Sequence, residues 1–249
     1  MAIMTSGGRS PKAAVVVSQR IIQEAHDAGL GPGDLLPPEK VMVEQYQIGR
    51  GTLREALRLL EFQGVITMKP GPRGGPVLQT PTASFLSGAF VLLMQLKNAP
   101  LRAIFEARLA IEPVITRVAA ANISPEKLDD IAETIEQMRT ELNGDRYVFL
   151  DANKKFHDII AWSTDNPLLG YLADSLLEVT NNTIVGLDFP LARRKATLAA
   201  HEAIFRAMAD RDAPASMAEM TEHIDEYLRY AEKKFPDVLN SVVRWDRTF

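Results

Sequence analysis

Proline and glycine cut the last two thirds of this chain into helix-length pieces, and that punctuation limits the fold more than any other feature. Breaks fall at Pro100, at Ser124-Pro125, at Gly144, at Asn166-Pro167, at Pro190 and at Asp212-Ala213-Pro214. A proline inside a helix removes an N–H and clashes with the preceding turn, whereas in the first turn it costs nothing. Ser124 before Pro125 is a proper N-cap. With Pro81 opening a linker, the pieces predict seven helices: about 83–97, 101–121, 125–142, 147–163, 167–186, 190–211 and 215–234. An all-helical bundle over 81–249 is the expectation.

The first 80 residues read differently. Residues 12–28 predict a helix ending at the turn "GLGPGD", and Pro38 to Tyr46 a short second one. "QIGRG" is a tight turn, and Arg50 to Phe62 predict a third helix stopped by Gly64. Leu53, Ala56, Leu57 and Leu60 make one face of it, while Arg50, Arg54 and Arg58 recur on another. "VITM" and "PVLQ" flank the turn "KPGPRGGP", which reads as a β-hairpin or wing. Three short helices and a hairpin match a winged helix-turn-helix, with the third helix in the major groove of DNA.

Charge divides in the same place. Residues 1–80 hold nine basic and seven acidic side chains, net +2, and the remainder holds nineteen and twenty-five, net −6. A small basic part on a larger acidic one suits a nucleic-acid partner for the first. The chain contains 0 cysteines, which excludes disulfides and thiolate metal sites. The longest apolar run, Ala89 to Met94, is far too short for a bilayer span, and the first ten residues lack a secretion signal's apolar core. No membrane partner and a cytoplasmic location are expected.

Several polar residues fall on faces that should be buried. His157 shares a stripe with Phe149, Phe156 and Ile160, and Asn153 lies one turn before it. His201 lies with Leu198, Ile204, Phe205 and Met208; His223 lies with Met220, Ile224 and Tyr227. A lone core histidine usually needs only one hydrogen-bond partner. Three on three helices, with Asn153 beside one, point to a metal site inside the bundle, and nitrogen ligands favour zinc or nickel over magnesium or calcium. Arg108 falls in a stripe with Ile104, Ile111 and Ile115 and needs an anion. The partner is either a carboxylate such as Glu106 or Glu112, or the carboxylate of a bound small molecule.

These residues resemble the GntR family of bacterial transcription regulators, in particular its FadR subfamily with the helical FCD ligand-binding domain. The DNA-binding half carries "GDLLPPEKVMVEQYQIGRGTLREALRLLEFQGVI"; the other half carries "IFEARLAIEPVITRVAA", "NKKFHDIIA", "AHEAIFRAMADRD" and "MTEHI" in family order. The resemblance implies a winged helix-turn-helix over 1–80 and an effector-binding and dimerisation domain over 81–249. It puts Asn153, His157, His201 and His223 at metal-ligand positions and Arg108 on the helix whose arginine often meets the effector. Lys40, Arg50, Gly51, Thr52 and Arg54 fall where relatives touch operator DNA, with Gly71 and Arg73 as wing contacts. Three positions depart from the family pattern: Asn153 stands where aspartate is usual, Gly49 where serine is usual, and Gly51 where some relatives have threonine. The expected protein is a homodimeric repressor, not an enzyme, released from its operator by a small organic acid.

Two rivals follow from the residues. Three histidines with an open position also describe a catalytic zinc, hence a metal-dependent hydrolase with a DNA-binding appendage. Against it, "HEAIF" has Phe205 where a zincin's second histidine must stand, and no carboxylate shares the His157 face. The other rival makes the bundle a dimerisation domain only, its histidines bonded to their neighbours.

Overall fold

A computed structural model of the chain describes residues 13–71, 74–184 and 189–245, with side chains omitted for 182–184. The chain divides into two compact units, Met1–Phe85 and Leu86–Phe249.

The first unit runs α1 (Ala13–Asp27), α2 (Glu39–Tyr46), α3 (Arg50–Phe62), β1 (Ile66–Lys69) and β2 (Gly75–Leu78). Apolar faces of the three helices close on one core that includes Val17, Ile21, Met42, Leu53, Leu57 and Leu60. The α2–α3 turn is tight because Gln47 takes a left-handed conformation, φ 51, and donates its N–H to Val43. Gly64, φ +70, ends α3 as its position suggests. β1 and β2 pair antiparallel, Ile66 opposite Leu78 and Lys69 opposite Gly75. Both strands lie one residue closer to the turn than "VITM" and "PVLQ" predict. The cause is the turn itself: Gly74 donates its N–H to Gly71 at 2.9 Å, and a Cβ on Gly74 would lie 2.0 Å from the Lys69 carbonyl oxygen. Only glycine lets the strands pair that far.

The second unit is helical: α4 (Ser84–Leu96), α5 (Arg102–Asn122), α6 (Pro125–Thr140), α7 (Arg146–Trp162), α8 (Pro167–Ile184), α9 (Leu191–Ala209), α10 (Ala213–Lys234) and α11 (Pro236–Leu239). The seven expected helices are present, and the one-turn α11 is additional. Ser124 caps α6 by accepting from the Lys127 N–H at 3.2 Å. Asp145 and Asp212 do the same for α7 and α10. α5 is the central helix and packs against α7, α8, α9 and α10. Phe149, Phe156 and Ile160 of α7 and Ile204 and Met208 of α9 share one core cluster with Ile131 and Ile135 of α6 and Met220 and Ile224 of α10. After α11 the chain returns to the start of α5, where Leu101 donates its N–H to Ser241 at 3.0 Å. Among the described residues, no helix is long and apolar enough to cross a membrane.

Candidate metal centre and nucleic-acid interface

The apolar stripes that bury α7, α9 and α10 carry their histidines inward with them. His157, His201 and His223 are all buried. The Nε2 of His223 lies 3.3 Å from the Nε2 of His201 and 3.3 Å from that of His157. Two ligand nitrogens about 2.0–2.1 Å from one tetrahedral ion stand about 3.3–3.4 Å apart, so this spacing is the edge of such a coordination shell. The rings are held in place: His201 stacks on Phe156 at 3.8 Å, and His157 lies 22° from parallel to His223. Burial, reinforced by neighbouring charge, pushes the His201 and His223 pKa values well below the usual 6.5. Burial also lowers that of His157, against the pull of Glu112. All three imidazoles are therefore neutral, the form that coordinates.

Hydrogen bonds within the trio cannot satisfy it. If the His223 Nε2 accepts from both neighbours, its proton must sit on Nδ1, which is buried and meets no acceptor among the described residues. If it donates, it serves only one of them. A cation would use all three Nε2 lone pairs at once.

Glu112, from α5, completes the cluster. Its Oε2 is 2.9 Å from the Nδ1 of His157, close enough for the carboxylate–imidazole pairing that orients metal-ligating histidines, though the ring N–H is not aligned on it here. Its other contact is Arg108, whose Nε meets Oε1 and whose Nη2 lies 3.5 Å from Oε2. Burial alone would raise the Glu112 pKa, but Arg108 and His157 outweigh it and hold it at about 2. Of the two carboxylates the sequence offers to Arg108, Glu112 is the one that answers, and Glu106 is exposed. The Glu112–His157 contact joins two helices, so no carboxylate on the His157 face announced it. Asn153 is half-buried and borders the same pocket as Arg108, His157 and His223. That pocket is also bordered by Thr180, Asn181, Thr197 and Tyr227. None of these four was expected as pocket lining, although Tyr227 shares the His223 stripe and Thr197 stands one turn before His201.

In the first unit, Lys40, Arg50, Gly51 and Arg54 are exposed, Thr52 is half-buried, and Gly71 is exposed in the wing turn with φ +109. Arg50 and Arg54 stand one turn apart at the start of α3. The Nε of Arg54 lies 3.4 Å from Glu39. Arg73 lies outside the described residues.

Residues 13–73 match the bacterial regulatory proteins of the gntR family, and residues 103–226 match the FCD domain. The HTH-type transcriptional regulator YcbG of Bacillus subtilis is 32% identical over 208 residues, which make up 84% of this chain and 85% of that one. The chain belongs to the GntR family. Its FCD domain marks the FadR-like subfamily. The galactonate operon transcriptional repressor of Escherichia coli is 30% identical over 193 residues, covering 74% of this chain and 82% of the repressor. A solved GntR protein of Streptococcus agalactiae shares the fold, with a TM-score of 0.64 at 20% identity, covering 87% of this chain and 99% of that one. Members of this family are DNA-binding transcriptional regulators and not enzymes, which overturns the hydrolase alternative. FCD domains often bind a metal, and the three histidines form a cluster that could hold one.

Proposed function

We propose that this GntR regulator is a metabolite-responsive repressor that works in the cytoplasm as a homodimer on a near-palindromic operator. Two recognition helices on two half-sites require the dimer. Arg50 and Arg54 read base edges, Lys40, Gly51 and Thr52 add contacts beside them, and Gly71 and Arg73 meet phosphate or the minor groove. In the helical unit, His157, His201 and His223 hold one divalent metal, zinc or nickel, with Asn153 as a further oxygen ligand. A bound ion would supply Lewis acidity toward one end of a small carboxylate-bearing effector. Arg108 borders the pocket and meets the same carboxylate, while Glu112 keeps His157 turned toward the cluster. Effector binding changes the relative stability of two arrangements of the protein and so releases the operator.

The observation that carries this reading is the meeting of three neutral, buried imidazoles at 3.3 Å spacing. Elemental analysis of protein purified without chelator or a metal-affinity tag tests it. One divalent ion per chain is expected, lost in a triple His→Ala variant. A wild type that takes up no more zinc or nickel than the triple variant defeats the reading. A dimerisation-only role for the bundle predicts that second result.

A further inference from the structure

A second guanidinium lies directly behind two residues, Thr197 and Tyr227, that line the pocket beside the histidines. Arg193 lies in the first turn of α9, with its side chain 2% exposed. A guanidinium stays charged, so burial demands acceptors for its five N–H donors. Arg193 has few. Nη1 donates to Glu226 of α10, whose own side chain is 43% exposed. Nε reaches the Thr197 hydroxyl at 3.4 Å. Nη2 is buried and meets no acceptor among the described residues. The group is nevertheless firmly placed, its centre 5.3 Å from the ring of Tyr227 and 5.2 Å from that of Tyr230.

The contrast with Arg108 is instructive. Arg108 gives Nε and Nη2 to one carboxylate, Glu112, four residues along its own helix. Its charge is largely answered within the fold. Arg193 keeps an unspent edge, and its two supports, Thr197 and Tyr227, both border the pocket that Arg108 and His223 border. The Thr197 hydroxyl accepts from Nε and still has its proton to donate. A fixed donor that lacks an internal acceptor and stands one side chain behind a pocket wall suits an anion brought by the ligand.

We propose that Arg193 and Thr197 form a second anion subsite in this pocket, and that the effector is a dicarboxylate, or an acid with a comparable second anionic group. One carboxylate faces the histidine cluster and the other meets Nη2 of Arg193 and the hydroxyl of Thr197. This rests on the reading of the pocket as an organic-acid site. A monoacid of equal length leaves Nη2 buried and unanswered, which is how a site rejects an analogue that lacks one polar group.

Calorimetric titration of metal-loaded, full-length protein tests this with matched probes: succinate against butyrate, and glutarate against valerate. Wild type should bind one diacid at least about tenfold tighter than its monoacid. Arg193→Gln should bring the diacid down to the monoacid's affinity, while monoacid binding and metal content stay unchanged. Glu226→Gln lies at a half-exposed position and removes the negative charge that competes for the Arg193 guanidinium, leaving only a neutral acceptor at Nη1. It should widen the diacid preference, and it decides the matter if Arg193→Gln does not fold. Equal affinities in wild type with the monoacid bound, a preference that survives Arg193→Gln, or one that Glu226→Gln leaves untouched each overturn the subsite alone. Metal-loaded wild type that takes up neither acid series overturns the organic-acid reading beneath it.

Discussion

Glu112→Gln removes one charge from the buried row Arg108–Glu112–His157 and almost no volume. The carboxyl is held at about 2 against an ordinary 4.5, because Arg108 and His157 outweigh the cost of its burial. That displacement corresponds to about 3 kcal/mol of folding free energy, which agrees with the ~3–5 kcal/mol lost when one partner of a buried ion pair is removed. Because the folded-state value lies below the unfolded one, the contribution is complete above pH 4.5 and disappears as the pH falls toward 2. Urea unfolding in the presence of chelator, followed by tryptophan fluorescence, measures it. Both tryptophans, Trp162 and Trp245, belong to the helical unit, so the DNA-binding unit is silent in this signal. At pH 7 Glu112→Gln should cost about 3 kcal/mol, and the gap to wild type should close as the pH drops below 4.5. The pair Arg108→Met with Glu112→Met should recover most of the loss, since it strands no charge. A single variant that loses less than about 1 kcal/mol, the ordinary effect of a point change, refutes the reasoning. So does a double variant as unstable as the single one.

Asn153→Asp should tighten metal binding, because a carboxylate adds negative charge at the cation; an unchanged affinity in chelator competition places Asn153 outside the coordination shell. Arg54→Ala should erase about 1–3 kcal/mol of discrimination between operator and scrambled duplex. Arg73→Ala should weaken both and lower the salt slope by about one unit. An Arg54→Ala protein with its full specificity ratio would put another helix in the groove. Gly74→Ala should open the wing, because its Cβ falls 2.0 Å from the Lys69 carbonyl; reduced DNA affinity with an unchanged tryptophan-monitored transition is the expected pattern, and wild-type affinity contradicts it.

Much of this was legible in the chain because the signals were local. Pro125, Pro167 and Pro214 stand in the first turns of α6, α8 and α10, where a helix tolerates proline. The α3 stripe of Leu53, Ala56, Leu57 and Leu60 is buried as its spacing requires. Each histidine of the cluster announced itself by sitting in an apolar stripe on its own helix. What stayed hidden depends on contacts between elements. Glu112 looked like a neighbour for Arg108, and nothing local tied it to His157. Arg193 left a fainter trace: Arg193, Thr197 and His201 recur every four residues on one face of α9. In the string "ARRKA" that arginine reads as one more solvated charge. The hairpin register depended on a steric contact across the turn at Gly74, which strand patterning does not record.

The three imidazoles also have a topological meaning. His223 is 66 residues from His157 along the chain and 22 from His201. An ion shared by all three closes two chain loops at once, as a pair of crosslinks does, and loop closure weighs on the unfolded ensemble more than on the folded one. Without the ion, α7, α9 and α10 are separate segments that can fray one at a time. With it, none of the three leaves the bundle without breaking a bond to the same atom. Their amide hydrogens then exchange as one cooperative block, and a proteolytic nick between α7 and α10 leaves the fragments fastened together until a chelator is added.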